Sequence, residues 1–233
     1  MIVQANNGII KFLFKGLNME YLAMIALCST LNKSVTIDGS NHPTVTSQEC
    51  YSAHNQYKTE LTKLDVSNAD KKALIRIIYA EAANQGDLGQ AFVLFTILNR
   101  TLHKDFPEKI VDVINQHNQF EPATKVSGWV NLPEPPSQQN AKLETMINLA
   151  LQGVINDPTG GALFFQNTTT VAAREKKGVV SKGLTNFNGS WPVAKVNDHT
   201  FYSDIKNLKP QKTNTDKWDA FNESASLVKW DAF

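Results

Sequence analysis

The stretch Asn68-Ala-Asp-Lys-Lys-Ala-Leu-Ile-Arg-Ile-Ile-Tyr-Ala-Glu81 decides how the rest of the chain is read. Leu74, Ile77 and Ile78 recur at helical spacing, which predicts a helix over residues 68–81 with one buried stripe. The next position on that stripe is Glu81. Asn68 is the expected N-cap and Gly86 the expected stop, so the carboxylate falls in the last turns of the helix. Burial disfavours the charged form of a carboxyl group, and the negative end of the helix dipole works in the same direction. An acid that keeps its proton near neutral pH is what general acid catalysis needs. The other reading has Glu81 tipped out of the stripe and solvated.

Beyond this helix, Gln85-Gly-Asp-Leu-Gly89 reads as a turn, and Gln90-Ala-Phe-Val-Leu-Phe-Thr-Ile-Leu-Asn99 as a helix that is apolar almost all round. Such a helix belongs at the centre of a domain. Phe106-Pro107 is expected to open another helix, buried through Ile110, Val111 and Ile114. Between Glu121 and Ser137 lie four prolines together with Gly128 and Trp129, a long loop of the kind that often carries function. Ser137 is expected to cap a helix buried through Leu143, Met146, Ile147, Ala150, Leu151 and Val154, which frays at Gly153. Asp157-Pro-Thr-Gly-Gly161 is a turn, and Ala162-Leu-Phe-Phe-Gln166 and Thr200-Phe-Tyr-Ser203 are strand candidates. Several helices with a small antiparallel sheet make the expected class α+β.

Composition narrows the functions available. The chain has 233 residues, 42% hydrophobic and 19% charged, with a net charge of +1. That is ordinary globular composition, long enough for a sizeable core. Charge balances to within one unit in each of residues 1–66, 67–203 and 204–233, so no basic arm or stripe calls for nucleic acid. No apolar run approaches the roughly 18 residues of a membrane span. Tyr21–Leu31 has the length of a signal-peptide core, with Lys11 and Lys15 upstream. Glu20 interrupts that approach and Asn32-Lys33-Ser34 makes a poor cleavage site, so a buried helix of a small N-terminal subdomain is the preferred reading. Cys28 and Cys50 either pair or stay free, and are too few for a zinc cage. The residues call for no cofactor or metal.

The signals fall in a definite order: Tyr79-Ala-Glu81-Ala, then Gly86 and Leu88-Gly89-Gln90, then Leu98-Asn99-Arg100, Phe106-Pro107, Gln119-Phe120, Asp157-Pro-Thr-Gly-Gly-Ala162 and His199-Thr-Phe201-Tyr202. Together they resemble the cell wall hydrolases related to spore cortex-lytic enzymes, over residues 73–203. The resemblance implies a lysozyme-like α+β fold, mainly helical with a small antiparallel sheet. It also implies cleavage of peptidoglycan glycan strands, chiefly as a lytic transglycosylase, with Glu81 as the catalytic acid. The chain departs from the family at Glu121-Pro122, where Ser-Trp is usual, and at Gln85, where a second acid is common. It departs again at Val196-Asn197-Asp198, before His199. Trp129 is a possible substitute for the missing tryptophan.

The chain divides into an N-terminal region of unknown role (1–66), where a short apolar helix mixes with polar turns, a working domain (67–203), which the resemblance makes catalytic, and a tail (204–233). Candidate substrate-binding residues are Gln119, Phe120, Glu121, Gln166 and Tyr202, with Asn167 beside them; Phe120, Phe164 and Phe165 are equally candidates for the core. Glu121 is the rival second carboxylate for a lysozyme-type hydrolysis, or else a solvated loop residue. Asn99, Arg100 and His199 read as structural. The tail repeats Lys217-Trp-Asp-Ala-Phe221 as Lys229-Trp-Asp-Ala-Phe233, either a helix packing back or an aromatic anchor for a protein or the wall. The expected site of action is the cell wall, as an exported enzyme or a phage lysis or virion protein. A non-catalytic wall-binding component of a phage particle is the competing class.

Overall fold

The computed structural model describes residues 21–31 and 47–206. The repeated tail motif lies outside them. The described chain forms helices α1 (Tyr21–Leu31), α2 (Ser47–Thr62), α3 (Asn68–Ala82), α4 (Gly86–Leu102), α5 (Ile110–Ile114), α6 (Glu121–Lys125), α7 (Ser137–Leu151) and α8 (Thr168–Lys176). Strands β1 (Phe164–Asn167), β2 (Ser190–Val196) and β3 (His199–Lys206) make one antiparallel sheet in the order β1-β3-β2. The class is α+β, mainly helical with a small sheet.

The expected helix over 68–81 is α3, with a correction at its start: Ser67, not Asn68, is the N-cap. Ser67 Oγ accepts from the Asp70 amide at 3.1 Å, and Asp70 Oδ2 accepts from the Ser67 amide at 3.0 Å, a reciprocal capping box. Asp70 Oδ1 also accepts from the Val111 amide at 3.2 Å, tying the start of α3 to α5. Gly86 is not a stop. It has φ of +68° and begins α4 directly, so the predicted turn is a tight elbow between two helices.

Every residue of α4 from Gly89 to Thr101 is buried, which is why its sequence has no polar face. Around it lies one core shared by α1 (Leu22, Ile25), α2 (Tyr57, Leu61), α3 (Leu74, Ile77, Ile78), α5 (Val113, Ile114) and α7 (Leu143, Ile147). A second cluster packs the sheet, through Val193, Ala194 and Phe201, against Phe92 of α4 and Ala26 of α1. Tyr21–Leu31 is therefore a buried helix, but it belongs to the main core and not to a separate N-terminal subdomain. Cys28 and Cys50 form a disulfide that joins α1 to α2.

Three further boundaries differ from expectation. Pro107 lies upstream of α5 rather than in its first turn, and Val113 is fully buried beside a half-buried Val111. Pro136 occupies the N-cap of α7, with Ser137 following, and Val154 is exposed beyond the helix end. Strand β2 had no sequence signal because Pro192 interrupts it. It is an edge strand whose register shifts on both sides of that proline, the place where a sheet tolerates a missing N–H.

Candidate active site

Glu81 is the penultimate residue of α3, and its carboxyl makes no hydrogen bond or ion pair within the described residues. Most of its surroundings are protein, and loss of solvation raises its pKa from 4.5 to about 7. The negative charge of Glu121 pushes the same way, while Arg100 and Lys125 oppose it. The net result is a carboxylic acid that retains its proton into the neutral range.

Glu121 opens α6 and is mostly exposed. Its Oε1 is paired with Lys125 Nζ at 2.9 Å and lies 3.9 Å from Arg174 of α8. The hydrogen bond from Lys125 holds the Glu121 carboxyl below its usual range, so it stays ionised. The two carboxyls thus titrate apart, Glu81 raised and Glu121 lowered.

Arg100, near the end of α4, stands on the other side of the balance. Its Nε donates to the Leu163 carbonyl at 2.6 Å. The guanidinium carbon lies 5.2 Å from the centre of the Phe120 ring, 5.3 Å from Phe106 and 5.7 Å from Phe164. Desolvation lowers its pKa to about 10, and the charge of Glu81 resists that fall. Its neighbour Asn99 donates through Nδ2 to Asp157 Oδ2 (3.1 Å), Thr159 Oγ1 (3.2 Å) and the Ala162 carbonyl (3.0 Å). Asp157 in turn accepts from the amides of Thr159 (2.7 Å) and Gly161 (2.9 Å). This knot fixes the turn that leads into β1. Gly161, with φ of +76°, has no room for a side chain there, since a Cβ would come within 2.8 Å of the Leu22 carbonyl.

The sequence-derived binding residues divide. Phe120 is fully buried at 0% exposure, so it presents no face to a sugar and instead walls the Arg100 site. Gln119 is exposed. Gln166 Nε2 donates to the carbonyls of Leu184 (2.9 Å) and Thr185 (3.0 Å) and lies 3.4 Å from the Tyr202 hydroxyl. It therefore pins the 3-10 turn Leu184–Gly189 to the sheet. Tyr202, paired with Phe164 across β1 and β3, stacks on Phe187 at 5.0 Å, and Phe187 meets Phe164 at 5.0 Å. An unbroken run of rings thus joins Tyr202 to Arg100. Asn167 caps α8 through the Thr170 amide. His199 lies half-buried against Phe165 at 5.3 Å, and burial lowers its pKa.

The proline-rich segment is held to α3. Arg76 donates to the Val130 carbonyl at 2.7 Å, pairs with Glu134 and sits over the Trp129 ring at 5.7 Å. Sequence reasoning missed the Arg100 cage and Phe187. The one available signal for the former was a cation at the end of an otherwise buried helix.

Comparison with known proteins gives the class. The chain belongs to the cell wall hydrolase family, whose profile matches residues 84–202, just over half its length and beginning just after Glu81. It is a peptidoglycan-cleaving enzyme of the cell wall. Two solved structures are similar at 24% identity and a TM-score of 0.46. One is the catalytic domain of the Bacillus cereus SleB protein (59% of this chain, 92% of that one). The other is the catalytic domain of the germination-specific lytic transglycosylase SleB from Bacillus anthracis (60% and 98%). No curated protein matches. Among the described residues, no helix is long and apolar enough to cross a membrane.

Proposed function

We propose that the chain cleaves the glycan strands of peptidoglycan as a lytic transglycosylase, with Glu81 as its single acid–base residue and residues 67–203 as the catalytic part. The observation that carries this reading is a carboxyl group without a hydrogen-bond partner among the described residues, kept protonated to about pH 7 at the end of α3. Protonated Glu81 gives its proton to the glycosidic oxygen as the bond to the anomeric carbon breaks. The 6-hydroxyl of the same sugar attacks that carbon, and its proton returns to Glu81. Because the nucleophile is tethered, no second carboxylate has to position a water.

A second reading, lysozyme-type hydrolysis, is favoured by one observation: Glu121 stays ionised and its charge is felt at Glu81. Two carboxyls with separated titrations are the usual equipment of a glycosidase. Against it, the Glu121 carboxylate is already held by Lys125 and faces solvent. Mass spectrometry of digested peptidoglycan tests the choice. Anhydromuramyl ends are expected from the wild type and from Glu121→Gln. Reducing ends alone, lost in Glu121→Gln, would establish the hydrolase. A clear zone on a peptidoglycan zymogram separates either enzyme from a non-catalytic wall-binding protein.

Peptidoglycan lies outside the cytoplasm, and the Cys28–Cys50 disulfide supports action in an oxidising compartment.

A further inference from the structure

Arg100 is more heavily provided for than a structural role requires. Asn99, one residue earlier, already fastens the turn before β1 with three hydrogen bonds, so a neutral donor would serve the remaining Leu163 carbonyl. The chain instead buries a full positive charge, at 3% exposure, among rings drawn from three separate segments. Burying a cation is costly unless its donors are used. Nη1 is nevertheless buried without a hydrogen-bond partner. The Glu81 carboxyl is the complementary orphan: among the described residues it too lacks a hydrogen-bond partner, and the two groups act on one another electrostatically. A guanidinium walled by Phe106, Phe120 and Phe164 and tied at Nε has little freedom left to lose when it engages a carboxylate.

We propose that Arg100 is a positioning residue for Glu81, its caged guanidinium supplying through Nη1 the partner that the carboxylate needs once its proton has passed to the sugar. The inference rests on the proposed role of Glu81. In that cycle the ionised carboxylate exists only between giving the proton and taking it back. A fixed cation therefore stabilises the intermediate stage and not the bound substrate, and its effect falls on kcat rather than KM. The charges that act on Glu81 are Glu121 and Lys125 of α6 and Arg100 of α4. Of the two cations, Arg100 is buried and Lys125 is exposed and paired with Glu121.

The test joins a direct titration of Glu81, by carboxyl carbon NMR, to kcat and KM on soluble glycan strands between pH 4 and 9. In Arg100→Gln, loss of the cation moves the Glu81 titration and the alkaline limb of the rate upward from about 7. kcat falls by roughly tenfold or more while KM changes little. A folded Arg100→Gln protein with an unmoved Glu81 titration overturns the proposal. If that variant does not fold, Arg100→Lys decides: it keeps the charge but not Nη1, so the titration stays near that of the wild type and kcat drops. Wild-type kcat in Arg100→Lys overturns the positioning role. Lysis retained by Glu81→Gln would defeat the proposed function instead, a different result in a different variant.

Discussion

A carboxyl group needs solvent to ionise at its usual pH, and Glu81 has been denied most of it. Burial at the end of α3, helped by the charge of Glu121, moves its pKa from 4.5 to about 7. Two consequences share one sign. Under the proposed role of Glu81, glycan cleavage is expected to fall as pH rises through about 7, because the acid form is lost. Between about 4.5 and 7 the folded chain holds a proton that the unfolded chain has released, so the contribution of Glu81 to stability is complete below that window and disappears as pH rises through it. Replacement by glutamine, which cannot ionise, is expected to leave stability near pH 4 almost unchanged and to raise it at pH 8. Denaturant melts at the two pH values check this; equal effects at both would show that Glu81 titrates normally. The burial of Glu81 was legible in the sequence because a charged residue interrupted an apolar stripe. Arg100 was not, since a cation ending a helix looks like ordinary dipole pairing and nothing local reveals three rings gathered from distant segments.

At the scale of elements, periodicity located α3, α4 and α7 well, because each buries a defined stripe or its whole surface. It failed where structure depends on partners. Strand β2 carries a proline and exists through its pairing with β3, and the 3-10 turn Leu184–Gly189 is held by Gln166 from β1. The caps were shifted by one residue at Ser67 and Pro136, where a neighbouring side chain or backbone bend decides the first turn. The turn Asp157–Gly161 was read correctly, but not its attachment to Asn99. Replacing Asn99 by alanine removes three donated bonds from a buried site and is expected to cost about 2–4 kcal/mol. Urea unfolding measures it; a loss within a few tenths of a kcal/mol would mean that the turn holds itself.

Across the whole molecule, α1 and α2 belong to the same core as the helices that carry the candidate site. Leu22, Ile25, Tyr57 and Leu61 pack with Leu74, Ile77 and Leu98, although the sequence showed a change of character near residue 66. Sequence patterning cannot report such long-range packing, nor whether Cys28 reaches Cys50. The disulfide joins cysteines 22 residues apart and restricts the unfolded chain, so replacing both by serine is expected to lower stability by about 2–4 kcal/mol. Thermal melts with and without a reducing agent check the value. An unchanged midpoint on full reduction would contradict it.

The claim on which the account turns is that Glu81 delivers the proton that breaks the glycosidic bond. Glu81→Gln keeps the size and burial of the side chain and removes only its acidity. The direct measurement is release of soluble glycan fragments from purified peptidoglycan by this variant beside the wild type, at pH 5–6 where Glu81 is protonated. Release is expected to vanish while the far-UV spectrum and melting temperature persist. Wild-type release by the glutamine protein would contradict the account.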